Sequence, residues 1–397
     1  MTLDARFAIN ISSLPKAYCF GCCACESICP VDCIRMTADQ EGFKYPQVDE
    51  SACIECGKCV RVCPGFNDIA REAYHAEPNF YGGYLEDDPI RRESSSGGFF
   101  TVLAEHTLSN AGVAYGAVTD FGRMAVVHSR ATCMESLGPM RQSKYVQSCT
   151  SGVLKMVKAD VDAGLPVLFS GTPCQVAGLI HYLGDHPENL FTIDLICHGV
   201  PSPALFTSHF LLRQSKFGAP IAKINFRTKE KGWGGFLNFY LKVEADRRAV
   251  LTYAPLDAYY ALFLANLSLR PVCYRCKFAS THRPGDITLG DFWGVQKEHP
   301  ELFDGRGTSL VLANTNLGEQ ALKKVKHRLK LKPLEKVHPL PPNLVQPTPK
   351  PALRDTFMKS IRFSQWGKQR IWKHILALGV IVWHKAYQGI KAVLNWK

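Results

Sequence analysis

The sequence predicts an α/β chain, α+β overall, in two unequal parts: a small cysteine-built module followed by a larger mixed α/β core. Three observations carry this. Ten of the sixteen cysteines fall before residue 64. Beyond residue 80, short apolar runs alternate with turns and helical stretches, the strand–turn–helix–strand rhythm of a layered α/β fold. The 397 residues are 46% hydrophobic and 21% charged, enough for a substantial core and for two to three domains.

The module comes first. Cys19, Cys22, Cys25 and Cys29 precede Pro30, and Cys53, Cys56, Cys59 and Cys63 precede Pro64. Both runs read C-x2-C-x2-C-x3-C-P, the bacterial ferredoxin spacing for two 4Fe–4S clusters. In that pattern the fourth cysteine of each run crosses to the other cluster. Cys19, Cys22, Cys25 and Cys63 are therefore expected to hold one cluster, and Cys53, Cys56, Cys59 and Cys29 the other. Structural zinc is the alternative, but zinc ribbons use two C-x2-C pairs rather than three-cysteine runs closed by C-P. Residues 1–15 show no basic start followed by a long apolar run, so no secretory signal is read there. Free thiols in a cytoplasmic, reducing compartment are expected. Each half of the repeat reads as a short strand, a cysteine loop and a short helix, with residues 42–48 as a strand between the loops. Cys23 and Cys33 are extra to the pattern and read as packing thiols.

The core follows a polar connector at 68–79. Residues 80–85 read as a strand and 99–109 as a helix. Residues 113–118 and 125–128 alternate like paired strands, and 145–163 has a helical period. Residues 166–170 form a buried-strand run that turns through Gly171-Thr172-Pro173-Cys174 into a helix at 175–183. Residues 191–197 repeat the theme and end at His198-Gly199-Val200-Pro201. The stretch 221–253 is strand-rich, and 287–293 and 309–314 are later strands. Seven prolines between 333 and 351 mark a linker or a wrapping arm.

Four core cysteines stand apart from the rest. Cys174 and Cys197 lie at predicted strand ends, and Cys273 and Cys276 form a C-x2-C pair. Strand ends of an α/β sheet face one crevice, where ligands bind. Four thiols meeting there would suit a third cluster; the alternative is isolated structural cysteines, the reading kept for Cys133 and Cys149. Ser94-Ser95-Ser96-Gly97-Gly98 precedes a helix, so Ser95, Ser96, Gly97 and Gly98 could cradle a phosphate, or a serine could simply cap the helix. Gly171 and Thr172 form a second such loop. With Arg141, Lys144 and Tyr145 these residues would suit the diphosphate of a flavin nucleotide. His198 is the acid–base candidate; its alternative is a histidine bonded to backbone at a turn. Arg227, Lys229 and Trp233 read as a basic, aromatic edge for an anionic substrate or as a solvated face. Asp286 and Asp291 flank a strand and read as local caps or pairs.

The net charge of +12 is uneven: residues 356–397 hold eight Lys or Arg and no acid. The remainder is nearly balanced, so no nucleic-acid partner is expected. No run reaches the roughly 18 apolar residues of a membrane span. The tail at 365–397, with four tryptophans among its basic residues, fits either a helix lying in a membrane surface or one docked on the protein body.

Several motifs together resemble one family. Lys144-Tyr145-Val146-Gln147-Ser148, Ser170-Gly171-Thr172-Pro173-Cys174-Gln175, Ile196-Cys197-His198-Gly199-Val200-Pro201, Cys273-Tyr274-Arg275-Cys276-Lys277-Phe278 and Asp286-Ile287-Thr288-Leu289-Gly290-Asp291-Phe292-Trp293-Gly294, with the serine–glycine loop, are similar to the coenzyme F-420 hydrogenase/dehydrogenase beta-subunit family. The resemblance covers well over half of the chain. It implies a flavin, usually FAD, and a core 4Fe–4S cluster at Cys174, Cys197, Cys273 and Cys276. It also implies electron exchange with a redox partner such as ferredoxin, and an organic substrate that it does not identify. The branch with a fused ferredoxin is associated with bacterial surface-polysaccharide gene sets. The basic tail is outside the shared core, and no residue here is matched to deazaflavin binding.

The expected organisation is a two-cluster ferredoxin domain at 11–70, then a flavin- and cluster-binding core. The core divides into a family N-terminal domain at 78–142 and a C-terminal domain at 143–332, and a Pro-rich linker with a basic tail occupies 333–397. The expected function is an iron–sulfur flavoprotein oxidoreductase, because cubanes carry single electrons and hydride chemistry needs a flavin as converter. The alternative is a non-catalytic electron-transfer subunit of a larger complex. The expected location is cytoplasmic, with a peripheral contact at the inner membrane face if the tail lies in a membrane surface.

Overall fold

The computed structural model describes residues 9–69 and 74–361. The tail expected to meet a membrane or the protein body lies outside the described residues from 362 onward. No helix among the described residues is long and apolar enough to cross a membrane.

The module pairs β1 (Ile34–Ala38) with β2 (Lys44–Val48) in antiparallel register, and its helices are short, Ala24–Ile28 and Lys58–Arg61. The two cysteine loops share one backbone solution. Gly21 and Glu55, each just before the second cysteine of its run, have φ of +68° and +53°. Cys23 and Gly57, each just after that cysteine, have φ of +61° and +67°. Paired left-handed residues fold the loop back on itself, which turns successive thiols toward one side.

The core is built on one eight-stranded sheet. Its first five strands in chain order are β3 (Tyr74–Leu85), β4 (Val113–Asp120), β5 (Ala125–Ala131), β6 (Val167–Gly171) and β7 (Leu190–Leu195). A separate antiparallel sheet is made by β8 (Ile221–Asn225), β9 (Tyr240–Ala245) and β10 (Arg248–Tyr253). The large sheet is completed by β11 (Ile287–Asp291), β12 (Ser309–Thr315) and β13 (Leu329–Leu334), in the spatial order β13-β3-β12-β11-β7-β6-β4-β5. Its centre, β4-β6-β7-β11, is parallel, and both flanks are antiparallel. Strands from both expected core segments, 78–142 and 143–332, share this sheet.

Alternation assigns the two faces. Ala114, Leu168 and Val311 pack with the helix Phe99–Ser109. Their neighbours Val113, Tyr115, Val167 and Phe169 pack on the opposite face with the helices Val153–Asp162 and Pro173–Leu183. A period of two puts successive side chains on opposite sides, so both faces are covered and β12 is buried along its whole length. The small sheet shelters an aromatic cluster of Phe206, Phe210, Phe226, Tyr259 and Tyr260.

Three expectations need correcting. The helix expected over 145–163 begins only at Val153, after Gly152 at φ +76°. Residues before it pair along β5 instead, through His128 N–H to Cys149 O (3.0 Å) and Cys149 N–H to Val126 O (2.9 Å). The strand expected over 191–197 ends at Leu195, so Cys197 lies in the turn beyond it. No serine caps the helix Phe99–Ser109; Gly98 does, at φ +89°, while Ser94 and Ser96 donate to the carbonyls of Ile90 and Thr308.

The proline-rich segment wraps the body. Thr348 Oγ1 donates to His198 O, and the Arg354 guanidinium bridges both carboxylate oxygens of Glu41 in the module and also binds Leu269 O (2.7 Å). The helix Arg354–Ser360 sets Met358 into the aromatic cluster.

Candidate functional site

Twelve cysteines gather in three groups of four. Cys19, Cys22, Cys25 and Cys63 line one cavity. Cys29, Cys53, Cys56 and Cys59 line a second, together with Cys33. Each contains about 300 Å³ of empty space. The fourth cysteine of each run sits with the other run, as the crossover pattern expects. Cys174, Cys197, Cys273 and Cys276 line a third cavity of about 440 Å³, together with Thr172 and His198. Among the described residues, no three His, Cys, Asp or Glu side chains are arranged to hold a single metal ion. Each set of sulfurs surrounds a void instead, which fits a cluster better than one zinc.

The thiols are placed where ionisation requires a cation. Burial, then Cys276, pushes Cys174 up to about 12 and Cys197 up to about 11. Burial, then neighbouring thiols, pushes Cys22, Cys25 and Cys273 well above the ordinary thiol value. A metal core reverses this, because a coordinating thiol is deprotonated outright. All sixteen cysteines are free of disulfides.

The core set is braced from behind. Asp194 at the end of β7 and Arg283 form an ion pair at 2.9 Å in which both side chains are essentially inaccessible. Arg283 also binds Leu195 O (2.5 Å) and Phe278 O, which staples the Cys273–Cys276 turn to the strand that leads to Cys197. Thr172 Oγ1 lies 3.2 Å from Cys174 Sγ, and Gly171 ends β6 just before it, so these two expected flavin residues belong to the cysteine set. His198 also lines this cavity. Its Nε2 faces Asn266 Oδ1 at 2.6 Å, and burial holds the imidazole below its usual value, in the neutral form.

The remaining expected flavin residues meet elsewhere. Ser95 Oγ accepts from Ser143 N (2.8 Å), which brings the serine loop against Lys144 and Tyr145. Lys229 Nζ donates to Arg91 O (2.7 Å) and Ser96 O (2.6 Å), and Trp233 Nε1 donates to Ser95 O (3.1 Å). Arg227 pairs with Asp291 at 2.8 Å, reaches the Tyr145 hydroxyl at 3.3 Å and stacks against Phe239 and Trp293. The side chains expected on a solvated face are thus at least half-buried. Lys144 donates only to the carbonyls of Pro139 (2.7 Å) and Arg141 (2.6 Å). Burial pulls Lys144 and Lys229 each down to about 7. Two sheltered amines with carbonyl partners beside a serine–glycine loop fit an anionic group. Gly97 itself is a packing glycine, since a Cβ there would stand 2.6 Å from Gly83 O.

Residues 18–66 match the 4Fe-4S dicluster domain family, and residues 165–337 match the family of the C terminus of the coenzyme F420 hydrogenase/dehydrogenase beta subunit. The chain is a dicluster ferredoxin domain fused to a beta-subunit domain. The dicluster domain is 44% identical over 54 residues to NADH-quinone oxidoreductase subunit I 2 of Geobacter metallireducens, covering 12% of this chain and 41% of that one. It is also 44% identical over 41 residues to the 7Fe ferredoxin of Hydrogenibacillus schlegelii, covering 10% of this chain and 46% of that one. The chain thus spans less than half the length of either relative. A chain from the solved F420-reducing [NiFe] hydrogenase complex of Methanosarcina barkeri aligns over 82% of this chain and 96% of its own, with 19% identity and a TM-score of 0.47.

Sequence reasoning did not single out the residues that join the two domains. Gly178 in the helix Pro173–Leu183 is one, because a Cβ there would lie 2.8 Å from Cys22 Sγ. Gln147 is another, donating to Phe20 O (2.9 Å). Cys149 accepts from Lys44 Nζ at 3.3 Å. A bond from Cys23, aided by Lys44, pulls Cys149 down to about 5.

Proposed function

We propose that this chain is an iron–sulfur flavoprotein oxidoreductase in which each of the three cysteine sets holds a 4Fe–4S cluster. The observation that carries it is the division of twelve cysteines into three groups of four, each around its own void, with Cys29 and Cys63 exchanged between the runs. When bound, clusters supply one-electron transfer and a flavin supplies conversion to two-electron chemistry.

The chain's own residues define the route. The set containing Cys56 is the outermost, because Cys56 is exposed, and it is the face offered to a redox partner such as a ferredoxin. The Cys19 set is intermediate, and Phe20 lines both its cavity and that of the core set. Ser95, Ser96, Gly97 and Gly98 with Lys144, Tyr145 and Lys229 would hold the diphosphate of a flavin, FAD by family resemblance. The two amines supply the positive charge there, and Trp233 and Trp293, stacked 5.3 Å apart, exclude water. His198, neutral and anchored through Nε2, can hold or release a proton beside the core set for an organic substrate. Surface-polysaccharide biosynthesis is the setting that the resemblance implies.

Anaerobic purification with iron, sulfide and flavin analysis tests this. About twelve irons and one flavin per chain are expected. Cys276→Ser should lose about four irons, and Lys229→Met should lose flavin while keeping iron. About eight irons in the parent chain would remove the core cluster, and absence of flavin would remove the converter. The non-catalytic alternative has one observation in its favour: Lys229 and Trp233 already close on the carbonyls of the serine loop. Cluster reduction without turnover of any organic substrate would decide for it.

A further inference from the structure

Arg270 is fully buried where the dicluster domain meets the beta-subunit domain. Its Nε donates to Cys19 O (2.7 Å) and one terminal nitrogen to Gln147 Oε1 (2.8 Å). The other terminal nitrogen reaches Lys44 O (2.8 Å) and Cys19 Sγ (3.4 Å). Tyr45 stacks 4.4 Å from the guanidinium. The seat is tight, since a Cβ on Gly21 would stand 2.7 Å from it. None of these hydrogen-bond partners is a carboxylate.

An arginine stays charged at any accessible pH, and an unpaired buried charge costs several kcal/mol. Four thiolates around a cluster outweigh the cationic core, so such a centre is a net anion. The one partner able to supply countercharge is Cys19 Sγ as part of such a centre. Arg270 also lines the cavity of the core cysteine set, three residues before Cys273. The exposed centre has no matching group: Arg61, beside it, is an exposed side chain that bonds Cys56 O at 3.3 Å.

We propose that Arg270 is the built-in countercharge of the centre held by Cys19, Cys22, Cys25 and Cys63, and that it raises that centre's reduction potential. A directed N–H on a ligating sulfur and a nearby positive charge both favour the reduced, more negative form. Arg270 is thus a positioning residue for the electron: it makes the middle of the route an attractive station between the exposed set and the core set. This inference rests on the cluster reading under Proposed function, and its test separates the two.

Redox titration monitored by electron paramagnetic resonance should be run on the full, anaerobically purified chain, with iron content measured alongside, for the parent, Arg270→Met and Arg270→Lys. Arg270→Met should keep its iron and move one midpoint to lower potential, leaving the others in place. Arg270→Lys, which keeps the charge but loses the planar fork, should recover part of that fall. Unchanged midpoints in whichever variant keeps its iron would overturn the inference, as would loss of iron from both variants, which would make Arg270 structural. A parent chain without iron or cluster signals would sink the functional reading instead.

Discussion

The dicluster domain and the beta-subunit domain hold their cysteines in opposite ways. In the dicluster domain the cysteines are the core: Cys19, Cys25, Cys29, Cys33, Cys59 and Cys63 pack with a handful of apolar residues such as Ile11, Leu14, Phe43 and Tyr45. In the beta-subunit domain the sheet closes two apolar layers without any core-set cysteine. Cys174, Cys273 and Cys276 lie at the margin of a small cluster formed by Phe20, Ala177, Val272 and Phe278. The difference teaches that metal plays two roles here. It replaces a hydrophobic core in the first region and occupies a finished scaffold in the second.

Iron removal is the largest way to break this comparison. Chelation should abolish hydrogen-exchange protection across β1, β2 and the helix Ala24–Ile28, while β6 and β12 keep theirs. Equal loss in both regions would end the distinction. Arg283→Met comes next. It strands the buried carboxylate of Asp194 and should destabilise the beta-subunit domain by about 3–5 kcal/mol, read as a lower thermal midpoint with the module's irons retained. An unchanged midpoint would show that the scaffold does not depend on that brace. Gly178→Ala is the smallest. A Cβ at 2.8 Å from Cys22 Sγ overpacks the seam and should cost about 1–3 kcal/mol, seen as faster exchange in the helix Ala24–Ile28 alone. No change there would mean that the seam has slack.

The part of this molecule legible in its sequence is the part written in local spacing. The two cysteine runs specify both loops and their crossover because each loop is closed within a dozen residues. The strands β3, β4, β6 and β12 follow from short apolar runs, and the helix Phe99–Ser109 follows from its period. Residues 145–151 misled, because their apolar spacing mimics a helix while their backbone bonds with β5, a partner some twenty residues away. Arg270 was illegible for a related reason. Every group that makes it unusual, from Cys19 and Lys44 to Gln147, is more than a hundred residues distant, and an arginine before a proline carries no local signal. The same holds for Arg227 and Lys229, whose charges suggest a wet surface until Asp291 and the serine loop fold over them.

The bridge from Glu41 to Arg354 spans 313 positions of chain. At roughly 5–20 residues per second, a ribosome delivers the second partner about 15–60 seconds after the first. Through that interval the ferredoxin unit is outside the ribosome without the strap that will fasten it. Its cysteines are therefore open to the cell's iron–sulfur assembly machinery before the last segment wraps across and fixes the module in place.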